Sequence, residues 1–479
     1  MRIIDRMAKL DDIQIQIPIE SFSQKGYGVG RFQRSAEGPK RKVVVPGAIP
    51  GDIALVTVGK RRKAAFAGVL NQVVEPSKDR VAARCVHAPG CGGCSWQQMS
   101  YAKQCEEKER GIQLLFSSFA GLVIHPIIPC EDPWQYRNKM EYSFSQNKAG
   151  EKFVGLTLAA SKGRVFHLTE CHLTSPWFAD VVVAVRRWWE ESSLLAYHLY
   201  ANTGSLRTLT LREAKHTKHK LVMMTVSSHP DFAPTKKDLE AFVEAVRRAT
   251  PAHLQEKLSV FLRIQQAIKG SATQFYEMVL FGKDHIKEEL VVAGKKYDFT
   301  ISPTAFFQPN TLQAEVLYAK ALSMAGEGPY EHVMDLYAGT ATLGIVFSSV
   351  AKKVTSIELN PHAVFDAKKN QEESGIAHLT IYQGDVSAVL DTLSKEAGFV
   401  PPDLVVVDPP RTGLDLKAVD LLVKMAPKKI LYISCNPATL SANAQTLSSQ
   451  GYRMQELQPV DQFPHTVHVE CIAIFEKGM

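Results

Sequence analysis

The run VMDLYAG (333–339) begins a regular alternation that occupies the second half of this chain. Four similar runs, rich in Val, Ile and Leu, follow at intervals long enough for a helix: VTSIEL (354–359), LTIYQGD (379–385), DLVVVDPP (403–410) and KKILYISC (428–435). Unbroken apolar runs are typical of parallel strands buried on both faces of a sheet. The sequence therefore predicts a doubly wound, Rossmann-like α/β domain over residues 301–479, with a last strand at HVECIAIFEK (468–477).

Residues 11–75 have the pattern of a small β-barrel. Every second residue from Ile13 to Ile19 is isoleucine, which is the two-residue period of a strand. Lys and Arg cluster in two turns, at 40–42 and 60–63. Further short apolar runs are separated by Gly and Pro: GYGVGRF (26–32), KVVVPGAIPGDIALVTV (42–58) and AFAGVLNQVVEP (65–76). These features resemble a TRAM domain, a small RNA-binding barrel with OB-like topology.

Residues 76–300 lack so regular a pattern. They contain a group of cysteines, stretches of alternating polarity and helical segments such as KKDLEAFVEAVRRA (236–249). We expect a central α+β domain here. A chain of 479 residues is long enough for the three domains that this division gives.

The composition is that of a globular protein, with 45% hydrophobic and 22% charged residues. No apolar run approaches the roughly 18 residues of a membrane span. The N-terminal stretch MRIIDRMAKLDDIQIQI (1–17) has scattered charges where a signal peptide needs an apolar segment. We therefore expect a cytoplasmic protein without a membrane partner. No protein partner is evident, so a monomer is expected.

The net charge of +7 is unevenly distributed. Residues 1–84 contain 16 Lys and Arg against 8 Asp and Glu, so the rest of the chain is close to neutral. A basic module on a neutral body indicates a polyanionic partner such as RNA. A merely solvated surface is the alternative.

The segment DLYAGTATLG (335–344) lies where the first strand turns into a helix. A glycine-bearing turn there lets a cofactor approach the backbone at the carboxyl end of the sheet. Glu358 ends the next strand and can accept hydrogen bonds from both hydroxyls of a ribose, while Asp385 can meet an adenine amino group. Helix N-caps are the alternative role for each acid. Together they favour a site for S-adenosylmethionine (SAM).

The segment DPPR (408–411) follows the fourth strand. Its two prolines fix the backbone of a rigid loop, in which Asp408 can accept hydrogen bonds from cofactor or target base. Amino-directed methyltransferases usually have an aromatic residue at the last position of such a loop, where it stacks on the base. Arg411 therefore argues against that class.

The segment SCNPAT (434–439) follows the fifth strand and points to a particular chemistry. Carbon 5 of uracil attacks a methylsulfonium only after a thiolate has added to carbon 6. Cys435 stands between a strand and a helix, where the helix dipole is expected to lower the pKa of its thiol. The alternative is a buried structural cysteine.

The segment DQFPHTVHVE (461–470) supplies a candidate base. After methyl transfer a base must remove the proton on carbon 5, so that the thiol is eliminated. Glu470 is surrounded by apolar residues, and we expect burial in a strand to raise its pKa. A surface Glu without a role is the alternative.

These motifs, with YRNKMEYSF (136–144) and ISPTAFFQPN (301–310), look like the RNA uridine-5-methyltransferase family of RlmD/RumA type. The resemblance covers essentially the whole chain in the family's order. It implies that Cys435 is the nucleophile and Glu470 the base. The SAM site that it implies has six residues: Gln308, Tyr337, Thr342, Glu358, Asp385 and Asp408. Ala338 and Ala341 depart from the family's first motif, which usually has Cys and Gly there.

Four of the eight cysteines also resemble a site of this family. The spacing Cys85-x5-Cys91-x2-Cys94, with a distant Cys171, implies a [4Fe–4S] cluster. Four thiolates also suit zinc, for which His87 and His172 are further candidates, and a site without metal is the third alternative. Cys105 and Cys130 are expected to be bystanders.

The leading interpretation is a SAM-dependent methylase of carbon 5 of a uridine in RNA. A cytosine-5 methylase is disfavoured because Arg411 stands where that class has a cysteine. An RNA-binding protein with an iron–sulfur sensor is disfavoured because both Cys435 and Glu470 are present. By analogy, the barrel and the cysteines favour 23S ribosomal RNA as the substrate, with tRNA as the alternative.

Overall fold

The structure is a computed structural model that describes residues 13–33, 38–62, 64–88, 90–159, 161, 163–267, 270–271 and 273–478. Residues 11–12 of the predicted barrel and Lys63 of its second basic turn lie outside the described residues. No helix in the described part of the chain is long and apolar enough to cross a membrane.

The N-terminal strands form a closed barrel in the order β1-β2-β3-β5-β4. The strands are β1 (Ile13–Phe22), β2 (Gly28–Phe32), β3 (Arg41–Val45), β4 (Ile53–Arg62) and β5 (Ala65–Glu75). The four isoleucines lie on the same face of β1, and Ile17 and Ile19 on that face are buried with Val43, Val45 and Phe66. The predicted barrel is therefore confirmed.

The next part of the chain forms helix α1 (Tyr101–Leu115), the short strand β6 (Val123–Ile124) and a six-stranded sheet. The strands of this sheet are β7 (Lys139–Gln146), β8 (Lys152–Gly155), β9 (Leu206–Glu213), β10 (Lys220–Ser227), β11 (Leu258–Gln266) and β12 (Gln274–Phe281), in the order β12-β11-β10-β9-β7-β8. Helices α2 (Pro176–Glu191) and α3 (Lys236–Arg248) pack on one apolar face of it. Thr235 caps α3 through a capping box with Asp238, which fixes its start.

The predicted doubly wound sheet is present, preceded by a hairpin of β13 (Ile286–Val292) and β14 (Lys295–Ile301). Its strands are β15 (Val333–Leu336), β16 (Val354–Glu358), β17 (Leu379–Gln383), β18 (Leu404–Val407), β19 (Lys429–Ser434), β20 (Tyr452–Val460) and β21 (Glu470–Lys477). Its helices are α4 (Thr311–Ala325), α5 (Thr342–Phe347), α6 (Pro361–Glu373), α7 (Val386–Leu393), α8 (Leu416–Met425) and α9 (Pro437–Ser449).

The strand order of this sheet is β17-β16-β15-β18-β19-β21-β20-β6, and β15 to β19 are parallel. The order reverses between β15 and β18, which opens a crevice beyond their carboxyl ends. The eighth strand, β6, comes from far upstream and pairs with β20. The division into domains at 75 and 300 stays a prediction.

Candidate active site

Antiparallel pairing brings Cys435 and Glu470 to the same edge of the doubly wound sheet. Ser434 at the end of β19 pairs with Cys471 in β21. The next residues along this register are Cys435 on one strand and Glu470 on the other, so they lie side by side. Asn436 and Pro437 then begin helix α9, with Pro437 at a position where its missing N–H costs nothing.

Glu470 is buried, with 3% of its surface exposed. Burial, with the charge of Asp408, raises its pKa to about 8, while Arg411 acts in the opposite direction. The burial and the raised pKa that the sequence predicts for this residue are both present. A carboxyl group with this pKa changes its protonation state near neutral pH, as a general base must.

The thiol of Cys435 does not have the lowered pKa that we expected from the helix dipole. Burial, followed by the charges of Glu470 and Asp408, raises its pKa. The guanidinium of Arg411 opposes this by charge and by a hydrogen bond to the sulfur. The helix is where the sequence predicts it, but desolvation outweighs its dipole at this site.

Arg411 is thus a functional candidate that the sequence reasoning used only to exclude a class. Its loop is fastened to the start of α9, where the Asn436 amide donates to the Arg411 carbonyl at 2.9 Å. Further along, the Asn443 side chain pairs with both backbone groups of Leu414, at 2.9 Å each. These bonds hold the guanidinium beside the thiol. The sequence signal for this role was the position of Arg411 directly after Asp408-Pro409-Pro410, in a loop expected to lie close to the SCNP segment.

A group of buried polar residues links the predicted cofactor residues to this edge. Burial and the charge of Asp335 raise the pKa of Asp408 to about 7. Asp335 in β15 is 1% exposed, and burial raises its pKa to about 7 as well. Buried Tyr318 contacts Gln308 and lies within the field of Asp408 and Glu470. Gln308 therefore faces the same crevice as Glu470.

The turn after β15 has alternating left-handed residues, with φ of 63° at Tyr337, 56° at Gly339 and 57° at Ala341. Glu358 braces this turn, because its carboxylate accepts the N–H of Gly339 at 2.8 Å and that of Asn360 at 2.7 Å. Each oxygen keeps a second lone pair for a ligand hydroxyl. The turn is thereby held at the mouth of the crevice.

Two predicted cofactor residues take structural roles as well. Asp385 is exposed and caps helix α7, accepting the N–H of Ala388 at 3.1 Å. Thr342 is the first residue of α5 and contacts the Thr340 hydroxyl at 3.1 Å. For Asp385 the alternative role as an N-cap is therefore realised, and its contact with adenine stays a prediction.

The segment before Glu470 is anchored by buried polar contacts with α1. Lys108 and Asp461 form an ion pair at 2.6 Å, and both side chains are at most 1% exposed. Gln104 accepts the N–H of His465 at 2.8 Å, and the His465 ring stacks on Trp134 at 3.9 Å between centroids. No motif of the sequence indicated these contacts, since they join residues more than 300 positions apart.

The four predicted metal ligands lie in one region. Burial raises the pKa of Cys94 to about 12, and a hydrogen bond from Gln97 acts in the opposite direction. The charges of the other three thiols, Cys171, Cys91 and Cys85, raise this pKa further. However, no three His, Cys, Asp or Glu side chains in the described ranges are arranged to hold a metal ion. The residues as placed do not form a finished ligand set.

The histidines near these cysteines have other partners. His87 Nε2 accepts the N–H of Thr169 at 3.1 Å, and His172 pairs with Glu170 at 3.3 Å. Cys105 and Cys130 are buried away from this group and close to Asp461. Their position is shown by the charge of Asp461, which raises the pKa of both thiols. The candidate metal ligands therefore remain the four cysteines that the sequence spacing indicates.

Comparison with known proteins gives one consistent result. The family model described as tRNA (Uracil-5-)-methyltransferase matches residues 243–478. A protein of Protochlamydia amoebophila named only as an RNA methyltransferase is 47% identical over 438 residues, which cover 90% of this chain and 99% of that protein. An RNA methyltransferase of Caldanaerobacter subterraneus is 32% identical over 472 residues, which cover 97% of this chain and 99% of that protein.

A solved structure has the same fold over nearly the whole length. It is the Pyrococcus abyssi tRNA (uracil-54, C5)-methyltransferase in complex with S-adenosyl-L-homocysteine. Its TM-score is 0.70 at 24% identity, covering 96% of this chain and 100% of that one.

The doubly wound sheet with a crevice at its switch point is the fold of that solved methyltransferase. Among methyltransferases, the chain belongs to the RNA (uracil-5-)-methyltransferase family. The resemblance found in the sequence is confirmed, and an RNA substrate follows from membership of the family.

Proposed function

We propose that this protein methylates carbon 5 of a uridine in RNA, with Cys435 as nucleophile and Glu470 as base. The observation that carries the proposal is the pairing of β19 with β21, which sets these two side chains at one edge beside Asp408 and Arg411. A thiol, a raised-pKa carboxyl and a guanidinium are the groups that this reaction needs.

The Cys435 sulfur forms a bond to carbon 6 of the uracil, and the electron pair of the 5,6 double bond moves to carbon 5. Arg411 favours the thiolate by its charge and its hydrogen bond, against burial and the nearby carboxyl groups. SAM, when bound, supplies an electrophilic methyl group to carbon 5. The target base has to leave its stack to reach this edge.

Glu470 then takes the proton from carbon 5, the 5,6 double bond re-forms and the carbon–sulfur bond breaks. A buried carboxylate with a pKa near 8 binds this proton more strongly than an exposed one. Asp408, whose pKa burial raises to about 7, shares the crevice and raises the pKa values of both Glu470 and Cys435.

SAM is proposed to occupy the crevice lined by the six predicted residues. Glu358 presents two oxygens at the end of β16, as a ribose diol requires. Tyr337 and Thr342 flank the left-handed turn. Gln308 and Asp408 face the catalytic end of the crevice, and Asp385 lies at its outer end.

For the substrate we propose 23S ribosomal RNA, supported by the four cysteines and by the basic residues of the barrel, which lie at the start of β3 and the end of β4 and not in the turns that the sequence predicted. A tRNA substrate is the second candidate, favoured by the Pyrococcus abyssi tRNA enzyme, whose fold matches over 96% of this chain. The barrel alone does not separate the two, because that match extends over nearly all of the chain.

We further propose that Cys85, Cys91, Cys94 and Cys171 hold a [4Fe–4S] cluster, with zinc as the alternative. Their mutual influence on thiol pKa values supports a shared site. Binding would require the thiols to move closer together than they lie here. After anaerobic purification, iron and acid-labile sulfide at about four each per chain would support the cluster. Zinc without iron would overturn it.

The test of the function is methyl transfer from radiolabelled SAM to transcripts of 23S ribosomal RNA and of tRNA, followed by nucleoside analysis. We expect label in 5-methyluridine from the 23S transcript. Label only in the tRNA would establish the second candidate. Label in cytidine, or none in either RNA, would refute the proposal.

A further inference from the structure

A cavity of about 360 Å³ lies where the barrel meets the segment that contains the first three candidate metal ligands. Binding pockets for small molecules begin at about 300 Å³, so this space suits a small ligand. Three parts of the chain form its walls: Gly47 and Leu70 of the barrel, residues 80–83, and Ala88 with Gln98. None of the residues proposed for SAM or for catalysis lines it, so the cavity is a separate site.

The junction that encloses the cavity is rigidly held. Asp52 is fully buried and accepts hydrogen bonds from the N–H groups of Ile49, at 2.8 Å, and Ser77, at 3.0 Å. It also accepts the Nε of Arg80 at 2.9 Å. Across the cavity, the Gln98 carbonyl accepts the N–H of Val81 at 2.9 Å. The walls are therefore in place before a ligand enters.

Most of the lining is apolar, and its side chains are small. Leu70 and Val81 line the cavity with three alanines, Ala82, Ala83 and Ala88. Pockets of this kind bind a ligand by its apolar surface and orient it through a few polar groups. Only Arg80 and Gln98 place a polar side chain among the lining residues.

Arg80 supplies a hydrogen-bond donor to the cavity. Its Nε and Nη2 atoms bind Asp52, and Nη2 also donates to the Gly47 carbonyl at 2.8 Å. Its Nη1 atom has no acceptor among the described residues. The side chain is 17% exposed, and Nη1 is not among the enclosed atoms that lack a partner. This donor is therefore accessible from the cavity.

Gln98 supplies an acceptor. Its amide nitrogen donates to the Ser95 carbonyl at 2.9 Å, which fixes the side chain. Its Oε1 atom receives no hydrogen bond within the described ranges, and it too is absent from the enclosed atoms without a partner. The cavity thus presents one donor and one acceptor between apolar walls.

The charge of Arg80 is balanced by Asp52 at the same site, so the cavity has no surplus charge to attract an anion. A neutral ligand with apolar faces and both donors and acceptors at its edge suits this lining better than a phosphate. The bases of RNA have this character, and unpaired bases can leave the stack to be bound in a pocket.

The cavity is connected to the segment that leads to Glu470. The N–H groups of Ser95 and Trp96 donate to the His465 carbonyl at 3.1 and 3.0 Å. Arg84, which follows Ala83, lies over the ring of Trp134 at 5.3 Å, and this ring stacks on that of His465. One RNA strand can therefore occupy both the cavity and the catalytic edge.

We propose that this cavity binds a second unpaired base of the RNA strand that carries the target uridine. The inference rests on the proposed function and adds to it a place where a neighbouring nucleotide is held. The Nη1 atom of Arg80 donates to an oxygen or ring nitrogen of this base, and Gln98 accepts from one of its N–H groups. The alanines and Leu70 contact its faces.

An abasic scan of the RNA is the first test. Filter binding to the full-length protein compares RNA fragments in which one unpaired nucleotide at a time lacks its base but keeps its phosphate. We expect about tenfold weaker binding at one position besides the target uridine, the usual size of a lost base contact. The log–log salt slope should not change, because every phosphate is still present.

Ala83→Phe fills the cavity and is the second test. It should weaken binding of the intact RNA about tenfold, and the abasic change at the sensitive position should then cause no further loss. The Tm and the SAM affinity should be those of the wild type. Ala82→Phe, at the exposed rim, should act in the same direction, and it serves if Ala83→Phe folds poorly.

Ala397→Phe is the matched control, because Ala397 is exposed on the turn after α7 and far from the cavity in the fold. It should leave RNA binding unchanged. A scan without a second sensitive position would refute the inference, as would equal losses for the wild type and Ala83→Phe at every position. Methyl transfer is measured separately on the same fragments. Its absence would refute the proposed function, while a sensitive position removed by Ala83→Phe would still establish the base site.

Discussion

The two large sheets of this protein place their polar residues differently. In the doubly wound sheet the strands are buried on both faces, and the polar groups stand at the strand ends, as Cys435 and Glu470 do. In the six-stranded sheet one face is apolar, and the other combines buried apolar residues such as Met223 with charges such as Lys139 and Arg212. Strand ends converge on one point, whereas a face spreads its groups over an area. We therefore expect single substitutions at the strand ends of the doubly wound sheet to stop the proposed reaction. Single substitutions on a sheet face or a barrel surface should have smaller effects.

The largest expected effect is that of Cys435→Ala, which tests the strand-end half of this comparison. Methylation should become undetectable, because no other thiol adjoins Glu470 except buried Cys471. SAM binding, measured by calorimetry, should stay within a few-fold, since the sulfur serves the base. With 5-fluorouridine RNA and SAM, only the wild type should form a denaturant-stable adduct. Comparable turnover by the alanine variant would disprove the covalent mechanism.

Glu470→Gln should lower kcat by about 10²–10⁴-fold, the usual contribution of a general base. The adduct should accumulate on natural RNA, because the proton on carbon 5 is not removed. In the wild type the pKa near 8 makes the unprotonated form scarce at low pH. The rate of adduct release should therefore rise with pH and level off above about 8. A release rate that is flat between pH 6 and 9 would remove Glu470 from this role.

Lys108→Met probes the contact between α1 and the segment that leads to Glu470. Breaking a buried ion pair costs about 3–5 kcal/mol, because Asp461 is left charged without a cation and keeps only the hydrogen bonds from the Tyr101 hydroxyl and the Phe463 N–H. Urea unfolding should show this loss. The double variant Lys108→Met/Asp461→Leu should recover most of the stability, which a simple packing defect would not allow. Recovered stability with a lowered kcat would show that the segment also positions the base.

The double variant Lys40→Gln/Lys42→Gln tests whether the barrel contributes an RNA-binding surface. Both side chains are exposed at the start of β3. We expect a few-fold higher KM for RNA and a log–log salt slope smaller by about one to two. The kcat and the SAM affinity should be those of the wild type, with Lys395→Gln as a distant control. An unchanged slope would mean that these lysines face only solvent.

The smallest expected effect is a gain from Ala341→Gly at the turn that borders the crevice. Ala341 has a φ of 57°, which an alanine side chain disfavours by about 1–2 kcal/mol. Glycine loses most of this gain through its own entropy cost and through the removal of a fully buried methyl group, so the free energy of unfolding should rise by no more than about 0.5 kcal/mol. Ala338→Gly, at a position without a positive φ, should destabilise instead. Equal changes in both variants would show that backbone strain plays no part.

The sequence predicted the doubly wound sheet because burial on both faces leaves a plain apolar pattern. It located Cys435 and Glu470 because motifs mark strand ends. It did not predict the raised pKa of the thiol, which depends on how deeply Cys435 and its neighbours are buried. Nor did it indicate the Lys108–Asp461 pair or the cations facing each other across β7 and β9, since these partners are far apart in the chain. A local sequence pattern shows which residues a strand buries, but not which side chains from distant parts of the chain pack against it.

The position of β21 has a consequence for biosynthesis. This strand is made after every other element described here, yet it lies between β19 and β20 inside the sheet. Until it emerges and inserts, β19 has an unpaired edge and Cys435 does not have Glu470 beside it. Insertion between two existing strands is a non-local step of the kind that slows folding. A nascent chain that already contains Cys435 is therefore not expected to complete the proposed reaction until β21 has emerged and inserted.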